Sequence, residues 1–279
     1  MKLPRSSYYY KPKELSIWEK KHQTDLQDRI EQLVCEFPGY GYRRVTKQLQ
    51  REGCRVNHKK VLRIMRESSL LCAVKRSYKR TTNSRHPYPR YPNLIKNTAV
   101  SSINQVWVAD ITYIRIATSF VYLAVILDSF SRKVIGYALS NRLDTDLALA
   151  ALKMALSERQ PAAGCIHHSD QGVQYASNEY IKELKHWGFL ISMARTGNPY
   201  ENAQAESFFK TLKYEEVNLF NFQTLDDVVA RVPYFIQEVY NTKRLHSSIG
   251  YVPPEEFEAS IVGVKEPESQ SEILSTITI

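Results

Sequence analysis

The chain has 279 residues, long enough for one large domain or two, and 43% of them are hydrophobic, enough for a sizeable core. The net charge of +9 is unevenly spread: residues 1–100 hold 23 Lys and Arg against 8 Asp and Glu, and residues 101–279 hold 15 against 21. No apolar run approaches the ~18–20 residues of a membrane span, no signal-peptide pattern is present, and Cys35, Cys54, Cys72 and Cys165 show no Cys-x-x-Cys spacing, which argues against a membrane protein, a secreted disulfide scaffold and a zinc knuckle.

Residues 1–12 are basic and tyrosine-rich and read as a leading segment. From Lys13 to Glu36 the apolar positions Leu15, Trp18, Leu26, Ile30, Leu33 and Val34 fall at roughly helical spacing, and Pro38-Gly39 stops that helix. Tyr42 to Arg51 forms a second helix with Val45 and Leu49 facing inward. Gly53 breaks it, and Asn57 caps a third helix running to Glu67. Two short helices with a Gly between them read as a helix-turn-helix. Arg43, Arg44 and Lys47 lie on the first, and Lys59, Lys60 and Arg63 on the second, so these six are candidate DNA contacts. Residues 68–109 contain no acid but seven Lys and Arg and three prolines, the composition of an extended linker able to follow a phosphate backbone. The expected division is 1–70 helical DNA-binding region, 71–100 basic linker, 101–260 catalytic core and 261–279 tail.

The second part is β-rich at its start. Val106–Ile116, Phe120–Leu127 and Lys133–Leu139 read as strands joined closely enough for antiparallel hairpins. Asp144 caps a helix over Leu147–Ser157, Gly164–His168 is a fourth strand, Ser177 caps a helix to Trp187, and Phe189–Met193 is a fifth strand. A helix carrying Glu206 follows, then a helix over Leu225–Tyr240 interrupted by Pro233. The order βββαβαβα is that of the RNase H-like fold. The fold expected is therefore α/β: an RNase H-like core with a mixed five-stranded sheet and flanking helices, preceded by the small helical domain.

Three acids stand out. Asp110 lies in the middle of the first strand, Asp170 follows the fourth strand and precedes Gly172, and Glu206 opens its helix with 35 residues between it and Asp170. Taken alone, Asp170 could simply cap a turn. The surrounding words raise the specificity: Trp107-Val108-Ala109-Asp110-Ile111-Thr112-Tyr113, His168-Ser169-Asp170-Gln171-Gly172, Gly197-Asn198-Pro199-Tyr200-Glu201-Asn202-Ala203 through Glu206, and Tyr240-Asn241-Thr242-Lys243-Arg244-Leu245-His246 with Pro253-Pro254-Glu255. With these four ordered words, from about Pro38 to about Phe257, the chain resembles the OrfB-type DDE transposases of the IS-three insertion sequence family, and more widely the retroviral-integrase-like recombinases. The zinc-binding N-terminal module of retroviral integrases has no counterpart in its histidines and cysteines.

The resemblance implies a transposase that cuts DNA at element ends and transfers the freed strand, with Asp110, Asp170 and Glu206 as catalytic metal ligands and Asp110 shared by two ions. Oxygen-only ligands suit Mg²⁺, with Mn²⁺ as a substitute, and two such ions can activate a nucleophile and stabilise a leaving oxygen. Three clustered carboxylates without metal repel one another, which raises at least one pKa and leaves one member, Glu206, loosely held. His168 and Gln171 are candidates for supporting hydrogen bonds. Lys210 and Lys213 lie about 40° and about 20° round the helix from Glu206 and could meet DNA phosphates, Lys213 with the added weight of the family's basic residue at that offset. Asn198 and Asn202 read as turn and cap residues, and Asn241, Arg244 and His246 as structural. The partners implied are DNA, further copies of the chain on that DNA, and an upstream reading-frame product joined by frameshifting. The default location is cytoplasmic and nucleoid-associated, without a membrane. Two rival readings are a nuclease of the same fold that cuts without joining, and a DNA-binding regulator without catalysis.

Overall fold

The computed structural model describes residues 16–71, 87–96, 98–195 and 202–263. By compactness the chain divides into two units, Met1–Ala73 and Val74–Ile279. The leading segment, the tail, most of the basic linker and the Asn198 turn lie outside the described residues.

The first unit contains α1 (Ile17–Glu36), α2 (Tyr42–Arg51) and α3 (His58–Glu67). Leu26, Ile30 and Leu33 of α1 meet Val45 and Leu49 of α2 and Val61, Ile64 and Met65 of α3 as the buried residues of the unit. Asn57 caps α3 by accepting the Lys59 amide at 2.8 Å. The Arg29 guanidinium reaches Glu52 and ties α1 to the turn after α2. One expectation fails: Trp18 is at helical spacing, yet it is 80% exposed and joins no core, because the buried stripe of α1 begins only at Leu26.

The second unit is built on β1 (Val106–Arg115), β2 (Phe120–Asp128), β3 (Val134–Ser140), β4 (Ile166–Ser169) and β5 (Leu190–Met193). The sheet order is β3-β2-β1-β4-β5. β1 pairs antiparallel with β2, and β2 with β3. β1 and β4, and β4 and β5, are parallel. This is the mixed five-stranded sheet expected. The helices are α4 (Thr145–Arg159), the short α5 (Val173–Ala176), α6 (Asn178–His186), α7 (Ala203–Glu215), α8 (Leu225–Tyr234) and α9 (Pro254–Gly263).

Strand alternation sorts the core into two layers. Trp107 and Ala109 of β1 face one layer with α4, Tyr175, Tyr180, Phe189 and Ile191. Val106, Val108 and Ile114 face the other, with Ala205, Phe208, Phe209 and Leu212 of α7 and Val228 and Val232 of α8. Gly136 lets α4 lie against β3, since a Cβ there would come within 2.8 Å of the Ala155 Cβ. Asp144 and Ser177 cap their helices by accepting the Leu147 and Tyr180 amides at 3.1 and 3.3 Å.

Pro233 does not break its helix. α8 passes it and continues as a wider π-helical stretch, Phe235–Asn241. The wider winding tolerates the hydrogen bond that a proline cannot donate. Asn241, at the end of that stretch, accepts the Val134 amide at 3.0 Å and donates to the Val134 carbonyl at 2.9 Å, so it closes the edge of β3.

Candidate active site

Strand register brings two acids together. In the parallel pairing of β1 with β4, Val106 lies opposite Ile166, Trp107 opposite His167 and Val108 opposite His168. Asp110 and Asp170 each come two residues after the last pair, so they stand level where the two strands part. Neighbouring strands run about 4.8 Å apart, which makes residues at equal height close neighbours. Asp110 also shares the face of Val106 and Val108, the face covered by α7.

Each aspartate is anchored by main chain. Asp110 Oδ1 accepts its neighbour's amide, Ile111 N, at 2.8 Å. Asp170 Oδ1 accepts the Gly172 amide at 2.9 Å. Gly172 is required for this closeness: a Cβ there would lie 2.9 Å from the same oxygen.

The third acid comes from a helix. Glu206 is in the first turn of α7, next to Ala205, which is fully buried against the sheet. Its Oε2 accepts from Lys210 Nζ at 3.4 Å, with the two side chains 36% and 67% exposed. An exposed i, i+4 pair of this kind contributes only ~0.2–0.5 kcal/mol, so Glu206 is easily released from it. The far end of α7 is fixed much more firmly. Glu215 accepts two hydrogen bonds from Arg244, both at 2.7 Å, and both side chains are buried. Asn202 holds the cap position of α7 without a side-chain cap bond, and its buried Oδ1 has no partner among the described residues.

Electrostatics tie the group together. Burial pushes the Asp110 carboxyl well above the usual carboxylate range. The charges of Asp170 and Glu206 push the same way, while the Ile111 amide and the Lys213 ammonium oppose them. Lys213 is half-buried, and its ammonium sits over the Tyr113 ring, 4.7 Å from the centroid. Burial lowers its pKa, and the attraction of Asp110 offsets part of that. A buried carboxylate surrounded by like charges is an unfavourable arrangement unless a cation joins it. The donor set is all oxygen, which suits a hard divalent ion. Among the described residues, no three carboxylate, histidine or cysteine side chains are close enough to enclose a metal, and Glu206 is paired with Lys210.

The other singled-out residues have varied surroundings. His168 is fully buried, with Nδ1 2.8 Å from Ser192 Oγ, and that oxygen also accepts the Leu94 amide at 2.9 Å. It therefore ties β4 to β5 and to the segment that precedes the sheet. Gln171 is half-buried in the turn beside Asp170. Asn241 and Arg244 have the structural bonds given above, and His246 packs edge-on to Tyr240 at 4.6 Å. In the helical unit Arg43, Lys47, Lys59 and Arg63 are exposed, while Arg44 and Lys60 are half-buried. Arg43 lies over the Tyr42 ring at 5.4 Å and Arg44 over the Tyr40 ring at 5.8 Å. Two residues near the acids, Tyr113 and Tyr175, were not singled out from sequence, and neither was Asp128 at the end of β2. The two tyrosines lie inside or just beyond the motif words, which was the available signal. Asp128 is fully buried, and it accepts the Asn104, Phe130 and Ser131 amides at 2.7–3.0 Å, which fixes the β2–β3 turn.

Sheet order, paired aspartates and a helix-borne glutamate define an integrase-type enzyme that acts on polynucleotides. The family models agree: an integrase core domain matches residues 101–199 and a second integrase core domain model residues 188–254, while an HTH-like domain matches residues 21–78. The chain is 36% identical to a 31 kDa protein of insertion element IS600 from Shigella sonnei, covering 91% of this chain and 94% of that one. It is 37% identical to the transposase for insertion sequence element IS904 from Lactococcus lactis, over 84% of this chain and 93% of the other. It is also 37% identical to the transposase InsF for insertion sequence IS3A from Escherichia coli, over 78% and 76% respectively. The chain belongs to the insertion-sequence transposases of the IS3 type, polynucleotidyl transferases whose partner is DNA. Among the described residues no helix is long and apolar enough to cross a membrane.

Proposed function

We propose that this chain performs the chemical steps of transposition: metal-dependent cleavage at the ends of its element, then transfer of the freed strand to target DNA. The observation that carries the reading is the β1–β4 register, which stands Asp110 level with Asp170 on the face covered by the Glu206 helix. Asp110, Asp170 and Glu206 would hold divalent metal, Mg²⁺ with Mn²⁺ as a substitute, and two ions suit the in-line displacement. When bound, such ions activate the attacking oxygen and stabilise the leaving one. The chain's own part is to fix two carboxylates on the sheet, to supply a third from the first turn of α7, and to bring Lys213 alongside as a positive group for a phosphate oxygen. In the first step water attacks phosphorus and a 3′-hydroxyl leaves. In the second that 3′-hydroxyl attacks a target phosphodiester and displaces a new one. His168 and Gln171 support Asp170 from the strand and the turn.

The helical region over residues 1–70, with Arg43, Arg44, Lys47, Lys59, Lys60 and Arg63, would supply affinity for element ends, helped by the basic linker over 71–100. The core over 101–260 would supply the chemistry, with Lys210 and Lys213 at the DNA. The family resemblance supports assembly of several copies on DNA and fusion to an upstream reading-frame product. The deciding assay uses an oligonucleotide bearing the element end with a recessed 3′-hydroxyl, plus Mg²⁺ and a target plasmid. Joined product is expected with the wild-type chain and none with Asp170→Asn. Cut but never joined DNA would reduce the chain to a nuclease, and binding with neither product would reduce it to a regulator.

A further inference from the structure

Tyr175 has a buried hydroxyl without a hydrogen-bond partner among the described residues. Its side chain is 3% exposed. It lies in α5, five residues after Asp170, and packs in the same layer as Ala109, the neighbour of Asp110. The ring is held edge-on by Tyr180 at 5.4 Å and lies 6.3 Å from His167. Its backbone is set by the turn that Asp170 makes, since the Tyr175 amide donates to the Gly172 carbonyl at 3.1 Å. The hydroxyl oxygen is buried and has no hydrogen-bond partner among the described residues.

The neighbouring tyrosine gives the contrast. Tyr180 is equally buried, but its hydroxyl lies 2.9 Å from His167 Nε2. Burial pushes His167 down to about 3, so that ring is neutral and can share the bond. One of two adjacent buried tyrosines is thus satisfied by the core, and the other is not. A buried donor left unpaired is costly, and folded proteins keep few of them. Phenylalanine at position 175 would fill the same space without that cost. The carboxylates of Asp110 and Asp170 lie within electrostatic reach of the phenol and, after burial and Tyr180, keep it protonated and able to donate.

We propose that Tyr175 is a positioning residue of the carboxylate site, its hydroxyl donating to Asp170 once the three acids close on metal. This rests on the metal-holding reading above. A donor on a ligating carboxylate fixes which oxygen faces the ion, and loss of such support typically costs ten- to a hundredfold in metal affinity or activity. The role does not depend on titration of the phenol, only on its proton being present.

The test measures Mn²⁺ binding by the intact chain without DNA, by calorimetric titration, together with thermal denaturation in chelator and end cleavage at graded Mg²⁺. Tyr175→Phe is expected to weaken Mn²⁺ binding by about ten- to a hundredfold and to raise the Mg²⁺ needed for cleavage by a similar factor. Its melting temperature without metal should be unchanged or higher. Tyr180→Phe, which removes the satisfied hydroxyl, is expected to do the reverse: lower melting temperature and unchanged metal affinity. Wild-type Mn²⁺ affinity in folded Tyr175→Phe overturns the proposal, and so does a lowered melting temperature with no change in affinity. Asp170→Asn in the same titration separates the two levels. If it too binds Mn²⁺ like wild type, the metal-site reading has failed, not the role of Tyr175 within it.

Discussion

The sheet-borne aspartates and the helix-borne glutamate are held in opposite ways. Asp110 sits on β1 and Asp170 just past the end of the adjacent parallel strand β4, and each has an oxygen fixed by a backbone amide at 2.8–2.9 Å. Glu206 stands in the first turn of a helix, partly exposed and held by one weak ion pair. The same helix is locked at its other end by the buried Arg244–Glu215 pair. If the three acids hold metal as proposed, the sheet would pre-set two of the ligands and the helix would supply the third. The neighbouring charges of Asp170 and Glu206 raise the cost of ionising Asp110, which a bound cation would relieve.

The strongest way to break this contrast is to neutralise the sheet. Asp110→Asn should reduce cleavage and joining to background while DNA binding persists, as read by gel shift. The same variant tests the charge argument. In metal-free protein the Asp110 carboxyl has a raised pKa, whereas in the unfolded chain it titrates near about 3.9. Between those values the folded state binds more protons, so this group's contribution to stability is full below about pH 4 and is lost as pH rises through the folded pKa. Thermal melts in chelator across that range should show a downward slope for the wild type that Asp110→Asn flattens.

Releasing the locked end of α7 comes next. Arg244→Met leaves Glu215 buried and unpaired, which should cost about 3–5 kcal/mol in urea unfolding. A loss below about 1 kcal/mol would mean that the pair does not anchor the helix.

Disturbing one sheet acid without removing it should have a smaller effect. Gly172→Ala places a Cβ 2.9 Å from Asp170 Oδ1, so the carboxylate must turn. A cleavage rate about ten- to a hundredfold lower, with an unchanged melting temperature, is expected, since small misplacements of reacting groups cost on that order. Wild-type rates would show that Asp170 does not depend on that amide.

Releasing the free end should change least. Lys210→Ala is expected to alter stability by no more than ~0.5 kcal/mol and, by removing one phosphate contact, to lower DNA affinity slightly while cleavage at saturating DNA stays near wild type. A large loss of activity would make Lys210 part of the chemistry and not a holding partner for Glu206.

Much of this was legible from residue order. Short-range signals placed the elements: alternation set the strands, Asp144 and Ser177 capped their helices, and Gly53 with Asn57 marked the turn of the helical unit. The three acids stood out because each sits in a distinctive local word. Trp18 misled, because helical spacing shows which residues share a stripe but not where its buried part begins. At Pro233 the expected disturbance is present as a change to wider winding just beyond it, and the helix carries on.

By itself, then, the sequence determined the elements, their order, the basic and acidic halves, and the three acids. Local propensity, capping and composition act over a few residues, and these features need no more. The tertiary structure decided which distant residues share a height and a face. Only strand register sets Asp110 beside Asp170, and only helix packing buries Glu215 against Arg244. The same packing satisfies the Tyr180 hydroxyl and leaves that of Tyr175 without a partner among the described residues. Such differences depend on which atoms meet across the core, and no spacing along the chain encodes them.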